Sequence, residues 1–218
     1  MGASSAEVRV LSNRPVGPGC FVLTFERAGI SFRTGQYLSL GIPGQREQRE
    51  YSIYSGEGDP QLSVLVREVP EGLVSRRLAK LVPGDGLHVD GPFGYFTPDT
   101  ALKSGGPLLF LATGTGISPF HSMVQTHPHL NYTLLHGVRT CAELALEEDF
   151  LGENLVACVS REDGAAYRGR ITDRLKDLTV PPESHAFLCG NCDMIYEAFD
   201  VLRGFGIPSD RISTEVYF

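Results

Sequence analysis

Short runs of alternating apolar and polar side chains occupy residues 7–91, and glycine or proline separates each run from the next. Alternation with a period of two is typical of strands that bury one face, and the close spacing favours an antiparallel barrel or sandwich. The six runs are V-R-V-L, C-F-V-L-T-F, Q-Y-L-S-L, Y-S-I-Y, L-S-V-L-V-R and L-H-V-D. Leu73, Leu78 and Leu81 give residues 72–81 a helical period instead. We therefore predict an antiparallel six-stranded β-barrel interrupted by one helix.

The pattern changes after Pro107, where continuous apolar runs begin to alternate with helical runs. Unbroken apolar runs are typical of parallel strands that are covered on both faces. The strand-like runs are L-L-F-L-A, Y-T-L-L-H, L-V-A-C-V-S, A-F-L-C-G and R-I-S-T-E-V-Y-F. The helical runs are S-P-F-H-S-M-V, C-A-E-L-A-L-E-E-D-F, I-T-D-R-L-K-D-L and M-I-Y-E-A-F-D-V-L-R. The second half therefore predicts a five-stranded doubly wound parallel sheet, an α/β architecture.

The two patterns meet in the polar stretch T-P-D-T-A-L-K-S-G-G, between Gly94 and Gly106. Stretches of this composition are typical of flexible connectors between domains. We therefore predict a two-domain β + α/β protein with domains at residues 1–100 and 101–218.

The first predicted parallel strand breaks abruptly into Gly114, Thr115 and Gly116, and Pro119 follows where a first helical turn tolerates proline. Two glycines at the mouth of a helix allow backbone amides to approach an anionic group closely. The segment is interpreted as a phosphate-binding turn, although a turn of purely structural importance has the same appearance.

Composition limits the function further. The chain has 218 residues and a formal charge of −7, which disfavours nucleic acid as a partner. No apolar run is long enough to cross a bilayer, and the first residues lack a secretory signal pattern, so we expect a cytoplasmic protein without membrane contact. The five cysteines are interpreted as reduced thiols, and the Cys189–Cys192 spacing as a redox or metal half-site without a second half. We therefore expect no bound metal.

Several residues directly follow predicted parallel strands, where ligands bind in such sheets. Where an NAD site has an acid about 20 residues beyond its glycines, this chain has H-G-V-R, which includes Arg139. Ser160 and Arg161 follow the next strand, and guanidinium groups bind phosphates bidentately. The positions favour NADP over NAD, while solvated surface arginines remain the alternative.

Motifs along nearly the whole chain resemble those of the bacterial ferredoxin/flavodoxin–NADP reductase family. They are R-E-Y-S at residues 49–52, G-L-V-S at 72–75, G-P-F-G at 91–94, A-T-G-T-G-I-S-P at 112–119, V-S-R-E at 159–162, C-G-N-C-D-M at 189–194 and E-V-Y-F at 215–218. The resemblance implies FAD in the barrel and NADP in the parallel-sheet domain. It also implies hydride transfer between nicotinamide and isoalloxazine.

The resemblance assigns roles to residues in both halves. Arg49 would contact the flavin pyrophosphate, Tyr51 would pack on the isoalloxazine, and Ser52 would bond near the nitrogen that accepts hydride. The full set implied for FAD is Arg49, Glu50, Tyr51, Ser52, Gly72, Leu73, Val74, Ser75, Thr115, Tyr217 and Phe218. The set implied for NADP is Gly114, Gly116, Pro119, Arg139, Ser160, Arg161, Arg170, Gly190, Asn191 and Met194.

The catalytic residues implied in the same way are Ser52, Cys189, Glu215 and Tyr217. Cys189 would lie beside the nicotinamide, Glu215 would serve proton supply, and Tyr217 would cover the flavin. Cys192 departs from the family's C-G-N-x-x-M pattern, and a thiol–disulfide oxidoreductase is one alternative for the pair.

The implied partners are NADPH and a transiently bound ferredoxin or flavodoxin, with the protein acting as a monomer. Two further alternatives remain open. One is an NAD(P)H:flavin reductase or the reductase component of an oxygenase, and the other is a non-catalytic flavin subunit for electron transfer or regulation.

Overall fold

The computed structural model describes residues 4–144, 146–150 and 152–217. The chain forms two compact units. One unit extends to Thr97 and also includes Ser118–Thr126, whereas the other comprises Pro98–Ile117 and continues from His127. Contacts therefore assign one segment of the second half of the chain to the first unit, and a domain boundary at residue 100 stays a prediction.

Six antiparallel strands build the first unit. They are β1 (Ser4–Gly17), β2 (Cys20–Glu26), β3 (Tyr37–Gly41), β4 (Gln48–Ser52), β5 (Gln61–Arg67) and β6 (Gly86–Phe93). Their order is β4-β3-β6-β1-β2-β5, and a bridge between Ile53, just after β4, and Val64 of β5 joins the two edges. The six-stranded antiparallel barrel predicted from the alternation is confirmed.

Six parallel strands build the sheet of the second unit. They are β7 (Leu108–Thr113), β8 (Tyr132–Val138), β9 (Leu155–Val159), β10 (Tyr167–Arg168), β11 (His185–Gly190) and β12 (Ile212–Val216). The order is β10-β9-β8-β7-β11-β12, so the chain moves outward from β7 and then returns to its other side. This reversal between β7 and β11 is a topological switch point, and the predicted doubly wound sheet is confirmed.

Five α-helices accompany the described strands: α1 (Leu73–Leu78), α2 (Asp99–Ser104), α3 (Ser118–Thr126), α4 (Ile171–Lys176) and α5 (Cys192–Gly204). Val74 and Leu78 of α1 are buried in the barrel core. Leu175 of α4 and Ala198 of α5 are buried in a core that includes Leu111 of β7. Each core therefore combines the apolar face of its sheet with apolar helix positions.

Helix α3 joins the barrel through buried polar contacts. The Ser118 hydroxyl donates to the Ser52 carbonyl at 2.9 Å, and the Ser122 hydroxyl donates to the Ser55 carbonyl at 2.7 Å. The His121 ring stacks on Tyr54 with centroids 3.6 Å apart. The helix thus binds the carbonyl groups of Ser52, which ends β4, and of Ser55, which follows it.

Three predictions about the second half were wrong in detail. The sheet has six strands rather than five, because β10 contains only two residues and is too short to show a period. The connector contains α2, whose start and stop signals are Pro98, Asp99 and Gly105. Cys141–Glu143 and Glu147–Asp149 form short 3₁₀ turns where a helix was expected. Leu146 and Phe150 are buried four positions apart, which is the spacing that indicates a helix in the sequence.

Candidate functional site

The glycine turn after β7 lies against the end of β11. Gly114 has a φ of 53° and starts a 3₁₀ turn, Gly114–Ile117, that leads into α3. A Cβ atom on Gly116 would lie 2.3 Å from the Cys189 carbonyl oxygen, which is far inside van der Waals contact. Only glycine therefore allows this approach of the turn to the strand.

A second glycine completes the same edge of the sheet. Gly190 has a φ of 127°, and its Cβ would lie 2.2 Å from the Thr113 hydroxyl. That hydroxyl accepts the backbone N–H of Asn191 at 2.8 Å, and the Asn191 side chain in turn caps α5. The ends of β7 and β11 are thereby fixed side by side at the switch point, and Thr113 is a contributor that the motif analysis did not identify.

Three of the predicted catalytic residues meet in the second unit. Cys189 and Glu215 are partners in the register of β11 and β12, and the Cys189 thiol donates to a Glu215 carboxylate oxygen at 3.8 Å. The N–H of Tyr217 donates to the Gly190 carbonyl at 2.9 Å. Burial, with the Glu215 charge, raises the pKa of the Cys189 thiol well above its ordinary value. The Cys189 thiol is therefore protonated at neutral pH and acts as a hydrogen-bond donor.

The predicted arginines lie along the carboxyl edge of three neighbouring strands. Arg139 follows β8, Ser160 and Arg161 follow β9, and the N–H of Arg161 donates to the Arg139 carbonyl at 3.0 Å. Arg170 comes two residues after β10, which is parallel to β9. All four residues, Arg139, Ser160, Arg161 and Arg170, are exposed. The missed strand β10 thus explains how Arg170 reaches the same edge.

The R-E-Y-S segment of the first unit forms most of β4. Arg49 and Glu50 are exposed, Tyr51 is half-buried against the barrel core, and Ser52 is buried. Burial raises the pKa of Tyr51 to about 12, although the Arg49 charge acts in the opposite direction. Tyr51 is therefore a neutral phenol at physiological pH, with an apolar face and a donor at its end.

The segment at residues 72–75 starts α1. Gly72 precedes the helix, and its Cβ would lie 2.6 Å from the Ser75 hydroxyl oxygen. That oxygen accepts the N–H of Val69 at 3.1 Å, so the Ser75 hydroxyl supports the turn into the helix. Leu73 is exposed, while Val74 belongs to the core.

The remaining predicted residues lie in different surroundings. Thr115 is half-buried in the glycine turn, and Pro119 is buried in α3, which belongs to the first unit. Met194 lies in the first turn of α5 and is buried in the core, so its side chain packs among apolar groups. Phe218 lies outside the described residues. The five cysteines, Cys192 included, all lie among the described residues and form no disulfide there.

Sequence reasoning also missed His136, which is buried beneath the glycine turn. Its Nε2 lies 3.0 Å from the Gly114 carbonyl oxygen. A signal was present in the sequence, because the imidazole directly follows the apolar pair Leu134 and Leu135 in β8.

Two classes of feature are absent from the part of the chain that the structure describes. No group of three or more His, Cys, Asp or Glu side chains there could hold a metal ion. No helix among those residues has the length and apolar character needed to span a bilayer.

Comparison with known domains defines the class of the protein. Residues 16–97 match the oxidoreductase FAD-binding domain, and residues 110–199 match the oxidoreductase NAD-binding domain. The barrel, the doubly wound sheet and the glycine turn at its switch point are thus those of a flavin- and pyridine-nucleotide-binding oxidoreductase.

Comparison over the full length identifies the family. Ferredoxin–NADP reductase B of Sorangium cellulosum is 30% identical over 99% of this chain and 98% of its own length. The chain belongs to the ferredoxin–NADP reductase family. The electron transfer component of toluate 1,2-dioxygenase from Pseudomonas putida is 32% identical over 82% of this chain and 56% of its own length.

A solved structure has the same fold. The ferredoxin NADP+ reductase of Neisseria gonorrhoeae, determined with bound FAD and NADP, superimposes with a TM-score of 0.89. The superposition covers 98% of this chain and 99% of that one at 24% identity. The predicted two-domain architecture is therefore confirmed by comparison as well as by topology.

Proposed function

We propose that this protein is a ferredoxin–NADP reductase in the strict sense, which transfers electrons between NADPH and a ferredoxin or flavodoxin through bound FAD. The observation that carries the proposal is the meeting of Cys189, Glu215 and Tyr217 beside the glycine turn at the switch point. This geometry offers an anion-binding turn and a proton-bearing group at one edge of one sheet.

NADPH suits the second unit. Gly116 and Gly190 leave no room for a Cβ, so the backbone itself lines the edge where a diphosphate would bind. Arg139 and Arg161 would hold the 2′-phosphate of the ribose, since their guanidinium groups start from adjacent strand ends. The Ser160 hydroxyl donates to the Val138 carbonyl at 3.2 Å and would have to leave it to donate to the phosphate. Arg170 would add a third positive charge to that edge.

FAD suits the first unit. Tyr51 provides a flat, half-buried face beside the exposed guanidinium of Arg49, which would neutralise the flavin diphosphate. The Ser75 hydroxyl is already used to stabilise the start of α1. Binding of the diphosphate there would therefore depend on the backbone of residues 72–75 rather than on this side chain.

Bound flavin supplies the ability to accept two electrons together and to release them singly. The chain supplies position and proton control. The Cys189 thiol keeps its proton because it is buried, and it donates a hydrogen bond to Glu215, so it would help to place the nicotinamide by packing. Tyr217, tied by its backbone to Gly190, would cover the flavin until nicotinamide arrives.

A second candidate is an oxygenase-linked or NAD(P)H:flavin reductase, which the resemblance to the toluate dioxygenase component favours. We retain the strict ferredoxin–NADP reductase because the Sorangium relative matches over its whole length. The proposal further has the enzyme act in the cytoplasm as a monomer, and size-exclusion chromatography tests the oligomeric state.

The choice between the two is tested by steady-state assays of the holoenzyme. NADPH oxidation is followed with cytochrome c as the terminal acceptor, with and without added ferredoxin or flavodoxin, and separately with free FMN. We expect cytochrome reduction to depend on the carrier protein, because a one-electron relay has to dock and accept electrons. The control is the same assay with heat-denatured carrier. Rapid reduction of free FMN with no stimulation by either carrier would contradict the proposal.

A further inference from the structure

A histidine lies inside the sheet of the second unit, and the residues opposite it on both neighbouring strands are small. His136 of β8 is 2% exposed and pairs in register with Ala112 of β7 and Ala157 of β9. Residues in register project from the same face of a sheet, so the two alanines leave space for the imidazole. A ring at this depth needs hydrogen-bond partners inside the protein.

The partner defines the tautomer. The Gly114 carbonyl oxygen, 3.0 Å from Nε2, can only accept a hydrogen bond, so Nε2 carries the hydrogen of the neutral ring. The opposite nitrogen, Nδ1, is buried and has no hydrogen-bond partner among the described residues. Burial lowers the pKa of His136 to about 4, although the Gly114 carbonyl and Glu143 act in the opposite direction. The ring is a neutral donor throughout the physiological range.

The hydrogen bond also orients the backbone of the glycine turn. Gly91–Pro92 is the only cis peptide bond of the described residues, so the Gly114–Thr115 peptide is trans. In a planar trans peptide the C=O and N–H bonds point in opposite directions. Because the Gly114 carbonyl points toward His136, the Thr115 N–H points away from β8.

A purely structural purpose would be served better by another residue. Leucine occupies the two preceding positions of β8, Leu134 and Leu135, and both are fully buried. A third apolar residue would fill the space without leaving a nitrogen buried and unpaired, which costs stability. The presence of histidine at this position is therefore explained by the hydrogen bond from its Nε2–H to the Gly114 carbonyl.

We propose that His136 is a positioning residue for pyridine-nucleotide binding, whose Nε2–H fixes the Gly114–Thr115 peptide so that the turn presents its Thr115 N–H to the diphosphate. The role rests on the proposed function, since it requires NADPH at this turn. His136 would act on the nucleotide only through the backbone of the turn. It is not among the residues that the sequence motifs identify.

The test compares two amide substitutions. In His136→Gln the side-chain amide nitrogen comes close to the position of Nε2, whereas in His136→Asn it comes close to that of Nδ1. Binding of NADP⁺ and of 2′-AMP to the oxidised holoenzyme is measured by calorimetry, because 2′-AMP has the ribose phosphate and lacks the diphosphate. The ratio of the two affinities is compared between variants, so an effect on the whole fold cancels. Urea midpoints of both variants are measured in parallel.

We expect His136→Gln to retain nearly the wild-type ratio. His136→Asn should lose about five- to tenfold in NADP⁺ affinity, the worth of one hydrogen bond, with 2′-AMP affinity unchanged. An equal ratio in the two variants would overturn the role while leaving the proposed function intact. A wild-type holoenzyme that binds neither ligand would overturn the proposed function, and the role with it.

Discussion

The Cys189 thiol illustrates how one side chain can be read in opposite ways. A pair spaced as Cys189 and Cys192 suggests thiol exchange, which requires a thiolate and hence a lowered thiol pKa. Here burial and the Glu215 carboxylate raise the Cys189 pKa well above its ordinary value. A protonated thiol is a poor nucleophile, so the structure argues against the thiol–disulfide alternative. The structure favours a thiol that packs in the site and donates a hydrogen bond to Glu215.

Coenzyme preference is a property of single residues. Replacing Arg161 by alanine should reduce kcat/KM with NADPH at least about tenfold, because a charge-assisted hydrogen bond to the 2′-phosphate is lost. NADH lacks that phosphate, so its kcat/KM should change little. Steady-state kinetics with both coenzymes measures the difference.

The control for this substitution is Lys103→Ala, which removes the same charge from an exposed position of α2. It should affect both coenzymes equally and slightly. A loss of similar size with NADPH and NADH in the Arg161 variant would argue that Arg161 supports the strand end rather than the phosphate.

At the scale of elements, the site depends on how closely the turn after β7 approaches β11. Gly116→Ala should destabilise the protein by about 1–3 kcal/mol, because a methyl group has to displace the Cys189 carbonyl. NADP⁺ affinity should fall as well, since the turn and the strand move apart. Urea denaturation and calorimetry measure the two effects.

Gly204→Ala is the matched control. Gly204 ends α5, and apart from its chain neighbours and the backbone of its own helix no atom lies within 4 Å of the position that its Cβ would occupy. Alanine there should be neutral or stabilise by about 0.5–1 kcal/mol, because it has the higher helix propensity. If both substitutions had the same small effect, the close approach would not be a constraint.

Elements with a clear period were predictable from the sequence, and short ones were not. Six barrel strands and the β7 turn follow from alternation and from glycine spacing. β10 contains only Tyr167 and Arg168, which is too short for any period, yet it brings Arg170 to the site edge. The role of His136 could not be predicted from the strand pattern, because that pattern detects only apolar runs. The role depends on a hydrogen bond to the Gly114 carbonyl, 22 residues earlier in the chain.

At the scale of the whole molecule, charge bears on the choice of carrier. The formal charge of −7 gives no general attraction to an acidic carrier, so docking would depend on local basic groups. Arg46, Arg76 and Lys80 of the first unit are exposed, whereas Arg77 has Glu47 as an ion-pair partner at 3.7 Å. Carrier reduction is therefore expected to depend on a few side chains of that unit.

The central claim is that one chain joins a flavin unit to an NADP unit as a working reductase. It is tested most directly by anaerobic titration of the purified protein with NADPH, followed through the visible flavin absorption. We predict a yellow protein with one FAD per chain, whose absorption is lost on adding one NADPH per flavin and returns on adding oxidised ferredoxin or flavodoxin. A colourless protein that FAD does not reconstitute, or a flavin that NADPH leaves oxidised, would contradict the account.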